Sequence, residues 1–473
     1  MIKKILCMVL AAVLCVGAVS TVLVGCNNTG DTGNGEKVKL YVADKITDQT
    51  GINSWLQQRQ DAFDEQFGDR IEVTHLPAPA GSSDEIQAVM LQFTDAVDAP
   101  ALAQVNSINS NRTLWASGIL GDWADYLTSW DGYANFTDLM KETYTMGDSI
   151  IGFPISMEIP LLGFNKQILK DNGYMSEDGV PTDEFLEKVK TWTGFREVAL
   201  DLTDATTDPS KPVSGTGMLL ADYYLFLSNW MKANGDKLAT QAEDGTISLD
   251  FANENAVETY EFIHSMRFGQ YKSIYHSMNL DLASFMSLIW NNQVASFTFY
   301  PTWASWFQSV NYDINNIYVM PFPKNTGHEA EYSAAFYPTS YVLNGKKSKA
   351  EQEAAAEYVK FMCSEEAWLD RIDFADSYEI MQIVFPPYKT ITIEDMTDMM
   401  PADWKSATLT AMEDAKPTEL SVDNYVTYLN AKSISILDTE SMSRDTIISL
   451  LNEAQTTAEN EWLNNYNKDI LGQ

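Results

Sequence analysis

Cysteine and histidine are both scarce in this chain, and their scarcity narrows the chemistry that it can carry. The 473 residues include four of each. The histidines show no metal-ligand spacing, so each is expected to be structural or exposed. The G-x-S-x-G and H-E-x-x-H motifs are also missing. Nothing local in the sequence therefore marks a serine hydrolase or a metalloenzyme. The four histidines are His75, His264, His276 and His328.

Positively charged residues are also scarce. Lysine and arginine total 31 against 66 aspartates and glutamates, which gives a formal net charge of −35. A field of that sign repels nucleic acid and anionic lipid surfaces, so we expect no nucleic-acid partner. The acidic surface is expected to keep the protein in solution, and it gives no information about the ligand.

Long apolar runs are rare as well, and the one that stands out is N-terminal. Two lysines near the start precede an apolar stretch over residues 5–24, and the small Gly25 and Cys26 follow. This order is typical of an export signal. The stretch is also long enough to cross a bilayer as a helix. No lysine or arginine anchors its far end, and residues 27–35 are polar and rich in glycine, which favours export over a retained span.

The end of this run, Leu23-Val24-Gly25-Cys26, resembles a bacterial lipobox. The resemblance implies that residues 1–25 are a lipoprotein signal peptide, and that residues 26–36 are a lipid anchor on Cys26 with a flexible tether. An uncleaved anchor is the alternative. Either way we expect the protein on the extracellular face of a bacterial membrane. A multi-chain lipid would hold it firmly, because stable anchoring needs more than one acyl chain.

Removal of the signal peptide would also decide whether the mature chain can form a disulfide bond. Cys7 and Cys15 leave with the signal peptide, so the mature chain keeps Cys26 and Cys363. With Cys26 lipidated, Cys363 has no partner for a disulfide. The fold must then be held by its hydrophobic core, and residues 27–473 are long enough for more than one lobe.

Beyond the tether, short apolar runs alternate with helical patterns. The runs at 38–43, 70–76 and 101–106 predict strands, and apolar positions from Trp55 to Phe67 share one face of a helix that stops at Gly68. Strands joined by crossovers of this length predict a parallel sheet covered by helices.

The same alternation continues through the rest of the chain. One helix is predicted to open at Pro181 and to place Phe185 and Trp192 on a shared face. Ser348 and Glu351 form a capping box before another helix, and the chain is mostly helical from about residue 400. Further strands are predicted at "SIIGFPI" (149–155), "LLGFN" (161–165), "VASFTFY" (294–300), "IYVMPFP" (317–323) and "SYVLN" (340–344).

Four ordered stretches carry a resemblance to a known family. "GFPISMEIPLLGFNKQILKDN" (152–172) resembles a strand–helix segment of the carbohydrate-binding, maltose-binding-protein-like solute-binding proteins of ABC importers, with Phe164 in place of the usual tyrosine. "ILGDWADYL" (119–127) and "SYVLNGKKSKAEQEAAAEYVKFMCSEEAW" (340–368) also agree. "FMSLIWNNQVASFTFYPTWASWF" (285–307) agrees too, although Thr302 intervenes between the expected proline and tryptophan.

The resemblance implies an α/β fold of the two-lobed periplasmic-binding-protein type, with interleaved lobes, a hinge and the ligand in the cleft. Lobe 1 would comprise residues 37–155 plus 301–348, and lobe 2 would comprise 156–300 plus 349–473. Ligands of open α/β sheets bind outside the carboxyl ends of strands, which agrees with a cleft site. The crossing segments would lie near 155–158, 300–302 and 348–351.

Sugars present apolar C–H patches beside hydroxyl edges, so their sites combine aromatic faces with polar side chains. Trp303 stands where the family's stacking tryptophan stands, and it is the first aromatic candidate. The other aromatic candidates are Tyr300, Tyr223, Tyr224, Trp230, Tyr337 and Tyr425. The polar candidates are Glu158 in the first crossing segment, Asn106 and Ser107 at a strand end, and Asp48 after the first strand. Packing in the core, or a solvated loop, is the alternative for each.

The sequence therefore predicts an extracellular binding lipoprotein that is not an enzyme, needs no cofactor and no metal, and acts as a monomer. It would capture a sugar or oligosaccharide by cleft closure and deliver it to the permease subunits of an ABC importer. An extracellular carbohydrate-active hydrolase is the alternative, since a glycosidase needs only two carboxylates across a cleft and acidic residues are abundant. A peptide, polyamine or metal-complex ligand also stays open.

Overall fold

The computed structural model describes residues 37–469, apart from 45–52, 79–84, 221–225, 236, 243–245, 330–331, 380–383, 397–399 and 418–423. The described residues from Val38 onward form one compact unit. Its strands are β1 Val38–Asp44, β2 Ile71–Pro77, β3 Leu102–Val105, β4 Thr145–Met146, β5 Ser149–Ile150, β6 Phe153–Glu158, β7 Leu161–Asn165, β8 Ala239–Gln241, β9 Ile247–Leu249, β10 Ser296–Phe299, β11 Ile317–Met320, β12 Ala334–Leu343 and β13 Ala415–Pro417.

The helices lie between these strands and continue to the C-terminus. They are α1 Asn53–Phe67, α2 Glu85–Gln92, α3 Ile108–Ala116, α4 Ala124–Leu127, α5 Asp131–Ala134, α6 Asp138–Tyr144, α7 Lys166–Asp171, α8 Asp183–Lys188, α9 Trp192–Asp201, α10 Leu227–Ala233, α11 Glu254–Arg267, α12 Leu282–Trp290, α13 Ala304–Ser309, α14 Lys349–Met362, α15 Glu365–Ser377, α16 Ala402–Glu413, α17 Asn424–Leu437, α18 Arg444–Ala458 and α19 Asn464–Asp469. Short 3₁₀ turns cover Pro301–Trp303, Ile314–Asn316 and Ile393–Asp395, and a π-helical turn covers Glu459–Leu463.

A six-stranded sheet contains the first strands of the chain. Its order is β13-β12-β3-β1-β2, and β6 pairs with β12. Strand β1 pairs in parallel with β2 and β3, whereas β12 runs antiparallel to β3 and β6. The predicted parallel arrangement of the first three strands is confirmed, and their carboxyl ends share one edge of the sheet.

A second sheet is smaller and antiparallel, in the order β10-β7-β11. The chain leaves the six-stranded sheet at Glu158 and enters this sheet at Leu161, so Ile159 and Pro160 form the passage between the two sheets. The chain returns to the six-stranded sheet between Met320 and Ala334.

Each sheet carries a fully buried tryptophan whose indole is bonded to a strand. Trp123 Nε1 donates to the carbonyl of Tyr341 on β12, at 3.1 Å. Trp404 Nε1 donates to the carbonyl of Ile317 on β11, at 3.0 Å. A buried indole contributes a large apolar surface and needs a partner for its N–H group, and both requirements are met at these positions. Each sheet therefore has its own packed core.

Most predicted elements are confirmed, including the capping box of Ser348 and Glu351. One helix differs from its prediction. The apolar face from Phe185 to Trp192 was predicted as a single helix, but α8 ends at Lys188 and α9 begins at Trp192. The cause is local, because the Thr191 hydroxyl accepts from the N–H of Gly194 and starts a new helix there.

The predicted division into lobes differs from the observed contacts in two places. Strand β11 was assigned to lobe 1, but it pairs with β7 in the three-stranded sheet. Helices α14 and α15 were assigned to lobe 2, but they pack against β1 and α1 beside the six-stranded sheet. Both segments carry apolar faces that either sheet could bury, so their partner is decided by tertiary packing. The other boundaries stay predictions.

The C-terminal helices α17 and α18 pack against each other and against α11. Ion pairs strengthen this packing, since Arg444 at the start of α18 pairs with Glu254 and Glu261 on α11. Farther along, the hydroxyls of Tyr466 on α19 and Thr113 on α3 lie 2.9 Å apart. Among the described residues, no helix combines the length and the apolar character needed to cross a membrane.

Candidate functional site

Five side chains meet where the two sheets adjoin: Glu158, Tyr300, Thr302, Trp303 and Tyr337, here called the junction cluster. Glu158 ends β6, and Tyr337 faces it directly in the register of β12. Tyr300 follows β10 of the other sheet, and Pro301 then starts the 3₁₀ turn that carries Thr302 and Trp303. Proline is favoured in the first turn of a helix because its φ angle is already suitable.

A hydrogen bond joins the two passages of the chain within this cluster. The Thr302 hydroxyl donates to Glu158 Oε1. Burial raises the pKa of the Glu158 carboxyl from 4.5 to about 7, and the bonds from Thr302 oppose that rise. The carboxyl is thus poised to gain or lose a proton near neutral pH, and it offers an acceptor to a ligand hydroxyl.

Three rings line one side of the cluster, and we call Tyr337, Tyr300 and Trp303 the aromatic wall. The ring centroids of Tyr300 and Trp303 are 5.0 Å apart, and those of Tyr300 and Tyr337 are 6.0 Å apart. Tyr300 is 2% exposed, whereas Trp303 and Tyr337 keep part of their surface in contact with solvent. The wall therefore presents aromatic surface next to the Glu158 carboxyl.

Helix α10 contributes two polar side chains to the same place. The hydroxyls of Ser228 and Tyr337 lie 3.3 Å apart. Asn229 Nδ2 donates to the Tyr300 hydroxyl at 3.2 Å, and the Tyr337 hydroxyl donates to Asn229 Oδ1 at 3.0 Å. Burial raises the pKa of Tyr300 well above its ordinary value, so its hydroxyl stays protonated at neutral pH.

The strand end at Asn106 and Ser107 is held by a buried carboxylate. Glu85 is 2% exposed, and its Oε1 accepts from the backbone N–H of Asn106 at 2.9 Å and from Asn106 Nδ2 at 3.1 Å. Its Oε2 accepts from the hydroxyl of Ser110 at 2.5 Å. Val105 pairs with Ser340 on β12, so Asn106 lies at the same edge of the sheet as Tyr337.

The predicted site residues separate into three groups in the structure. Glu158, Tyr300, Trp303 and Tyr337 come together in the junction cluster, and Asn106 and Ser107 lie along the same sheet edge. Trp230 is 1% exposed and packs against Phe195 and Phe262, which fits the core-packing alternative for this residue. Outside the described residues lie Asp48, Tyr223, Tyr224, Cys26 and the side chain of Tyr425.

Sequence reasoning missed several residues at the junction. Ser228 and Asn229 lie in the same segment as the candidates Tyr223, Tyr224 and Trp230. No motif marks a serine or an asparagine as a partner of distant tyrosines. Thr302 was noted as an insertion before Trp303, and its bond to Glu158 spans 144 positions in the chain. Glu85 carried no local signal, because an acidic residue is unremarkable in a chain with 66 of them.

The cluster offers an aromatic surface, a carboxyl and hydroxyl groups, which suits an uncharged polyol better than an anion. Across the described part of the chain, no group of three or more histidine, cysteine or acidic side chains could hold a metal ion. The site is therefore described by hydrogen bonding and stacking.

The raised pKa of Glu158 predicts a measurable pH effect on stability. Between its ordinary value of 4.5 and about 7, the folded protein holds more of the Glu158 proton than the unfolded chain does. The contribution of Glu158 to the free energy of unfolding is therefore full below pH 4.5 and is lost as the pH rises through about 7.

A Glu158→Gln substitution should remove this decline. Urea unfolding of both proteins between about pH 4 and pH 8 measures it, because the difference between the two curves isolates the one carboxyl. A difference that stays constant over that range would show that Glu158 has no raised pKa.

Comparison with known proteins identifies the family. A family model described as the bacterial extracellular solute-binding protein matches residues 47–367, which is more than half of the chain. The chain belongs to this family. A search of curated proteins finds no significant match to this solute-binding protein.

Solved structures show the same fold. An ABC transporter solute-binding protein from Thermotoga lettingae, bound with α-D-tagatose, aligns with a TM-score of 0.65 at 15% identity, covering 89% of this chain and 99% of its own. The ABC substrate-binding protein from Listeria monocytogenes in complex with cycloalternan gives 0.62 at 17%, covering 89% and 98%. The maltotriose-binding protein from Thermus thermophilus gives 0.60 at 15%, covering 89% and 100%. The predicted two-lobed periplasmic-binding-protein fold is confirmed.

Proposed function

We propose that this solute-binding protein captures a sugar or an oligosaccharide at the junction cluster and delivers it to an ABC importer, without catalysing a reaction. The observation that carries this proposal is the partly exposed ring of Trp303, which contacts Tyr300 and directly follows Thr302, the residue that bonds to the Glu158 carboxyl. A sugar has C–H faces that stack on an indole and hydroxyls that bond to a carboxylate, so the two groups match both of its surfaces.

The likeness to other structures supports the same ligand class. The three solved proteins described above were bound to tagatose, cycloalternan and maltotriose. These ligands differ in size and linkage but are all carbohydrates, so the chemistry they share is what we carry over to this chain. An aromatic wall with a carboxyl and hydroxyl groups beside it fits that chemistry.

Binding would be coupled to a movement of two lobes, one around each sheet. The chain passes between the sheets at Ile159–Pro160 and again between Met320 and Ala334. A ligand that touches side chains from both lobes binds the closed state more tightly and shifts the population toward it. On this proposal, lobe 1 includes α14 and α15, and lobe 2 includes β11.

A thermal-shift screen tests the proposed function. The purified protein is heated with each of a panel of mono- and oligosaccharides, and with amino acids, a polyamine and short peptides as the competing solute classes. A sugar present at 100 times its dissociation constant should stabilise the protein by about 2.7 kcal/mol. Stabilisation by a peptide or a polyamine alone would contradict the sugar assignment, and a sugar converted to product would contradict a purely binding role.

The lipid anchor is the second part of the proposal, and it is supported by the lipobox-like Leu23-Val24-Gly25-Cys26 before a polar tether. A lipid on Cys26 would hold a monomeric protein at the outer face of the membrane, close to the importer's permease subunits. The family is extracellular by description, which agrees with export.

Replacing Cys26 by serine should release the protein from the membrane or leave its signal peptide uncleaved, because serine provides no thiol for the lipid. Cell fractionation and electrophoretic migration measure the two outcomes. Cys363→Ser is the matched control, since that thiol is buried in the folded chain and should not affect anchoring. If Cys26→Ser fractionates and migrates like the wild type, the lipoprotein assignment is wrong.

A further inference from the structure

Asn229 contacts tyrosines that belong to two different sheets. Its Nδ2 donates to the hydroxyl of Tyr300, which follows β10, at 3.2 Å. Its Oδ1 accepts from the hydroxyl of Tyr337, which lies on β12, at 3.0 Å. Asn229 itself is 2% exposed and belongs to helix α10, which is part of neither sheet. One buried amide therefore links the two hydroxyls of the aromatic wall.

This geometry restricts how the two rings can move. A buried amide is costly to leave without partners, so both ends of the Asn229 side chain resist separation from the tyrosines. If either hydroxyl moves away, the amide loses a hydrogen bond in a place where little water is available to replace it. The orientation of Tyr300 also constrains Trp303, because the two rings are in contact, with 5.0 Å between their centroids.

We propose that Asn229 is a positioning residue of the ligand site, which acts through Tyr300 and Tyr337 to hold the aromatic wall in its binding orientation. The proposal rests on the proposed function in assigning the wall to a sugar. Asn229 is nearly inaccessible, so it influences the ligand through the two tyrosines. A preorganised wall binds more tightly because less side-chain freedom is lost on binding.

The same helix provides a matched control. Asn234 caps the end of α10 and is also fully buried. Its Nδ2 donates to the carbonyl of Asn255 at 2.8 Å, and its Oδ1 accepts from Asn325 at 3.0 Å. Both asparagines are thus buried, and each has hydrogen bonds at the oxygen and at the nitrogen of its side-chain amide. They differ in that Asn229 faces the aromatic wall and Asn234 faces α11 and the segment at residue 325.

The test is a set of binding titrations with maltotriose as the probe. Asn229→Ala should weaken binding about 5- to 30-fold, the range expected when one or two hydrogen bonds are lost. In a protein that already carries Tyr300→Phe and Tyr337→Phe, the same substitution should weaken binding less than about 2-fold, because the hydroxyls through which it acts are gone. Asn234→Ala should lower stability and leave the affinity of the folded protein unchanged.

A second measurement needs no ligand. The effects of Asn229→Ala and Tyr337→Phe on urea unfolding should be non-additive, since both substitutions remove the same bond. Additive effects on unfolding would overturn the inference, whether or not the substitutions change the affinity for the sugar. The inference would also be overturned if Asn229→Ala weakened binding as much in the phenylalanine background as in the wild type. The same holds if Asn234→Ala weakened binding to a similar degree. If the wild type binds no sugar while the unfolding effects are non-additive, the proposed function fails and the positioning of the tyrosines stands.

Discussion

Replacing Trp303 by alanine is expected to weaken sugar binding about 30- to 150-fold, a loss of roughly 2–3 kcal/mol. The loss combines the apolar surface that the indole would bury against the sugar with about 0.5–1.5 kcal/mol from ring geometry. Trp303 keeps part of its surface exposed and contacts Tyr300, so a stacking face is available. Calorimetric titration of the folded variant measures the change in the dissociation constant.

Two further variants show whether the effect belongs to the stacking face. Trp303→Phe should recover part of the affinity, because a smaller flat ring still stacks. Trp306→Ala is the matched control, since Trp306 follows one helical turn later and packs against Trp290, with 5.8 Å between ring centroids. If Trp303 were only a packing residue, its alanine variant would lose about 3–5 kcal/mol of folding stability. A well-folded Trp303→Ala protein with wild-type affinity would remove this residue from the site.

Replacing Glu85 by alanine is expected to lower the free energy of unfolding by roughly 3–5 kcal/mol, the largest stability effect that we predict. The substitution removes the acceptor of the buried Ser110 hydroxyl and of two N–H groups of the partly buried Asn106. Each buried group left without a partner costs about 1–3 kcal/mol. Urea unfolding measures the loss.

Glu85→Gln should lose less than the alanine variant, because its amide oxygen still accepts from Asn106. Glu72→Ala is the control, since that glutamate is exposed on β2, and its change should stay within about 0.5 kcal/mol. Equal losses for Glu85→Ala and Glu72→Ala would show that the buried carboxylate does not hold the strand end. If the proposed site is correct, sugar affinity should also fall in Glu85→Ala, because Asn106 lies at the same edge of the sheet as Tyr337.

Part of the site could be predicted because the chain places it at strand ends. Glu158 ends a strand, and Tyr300 and Trp303 follow one, so hydrophobic patterning together with the family resemblance named all three as candidates, and their role in binding stays a prediction. Trp230 became a candidate because it lies in a tyrosine-rich segment that the family resemblance places on the second lobe, and its burial fits the core-packing alternative. An apolar ring on a helix packs equally well against a core or a ligand, and the sequence around it does not distinguish the two.

The amino-acid sequence by itself determined the elements and the class of this protein. Periodicity located β1, β2 and β3 and their parallel order, and the Ser348 capping box marked a helix start. These features are local, since they depend on neighbours within one turn or one strand. The predicted export signal and the family motifs are likewise read from contiguous residues.

Tertiary structure alone decided which elements share a sheet and which side chains meet. The bond from Thr302 to Glu158 and the bonds of Asn229 to Tyr300 and Tyr337 join positions 71 to 144 residues apart. No local pattern specifies such a contact, because a serine, threonine or asparagine finds its partner through the packing of the elements that carry it. The raised pKa of Glu158 has the same origin, since burial is produced by the assembled fold and not by the residues beside it in the chain.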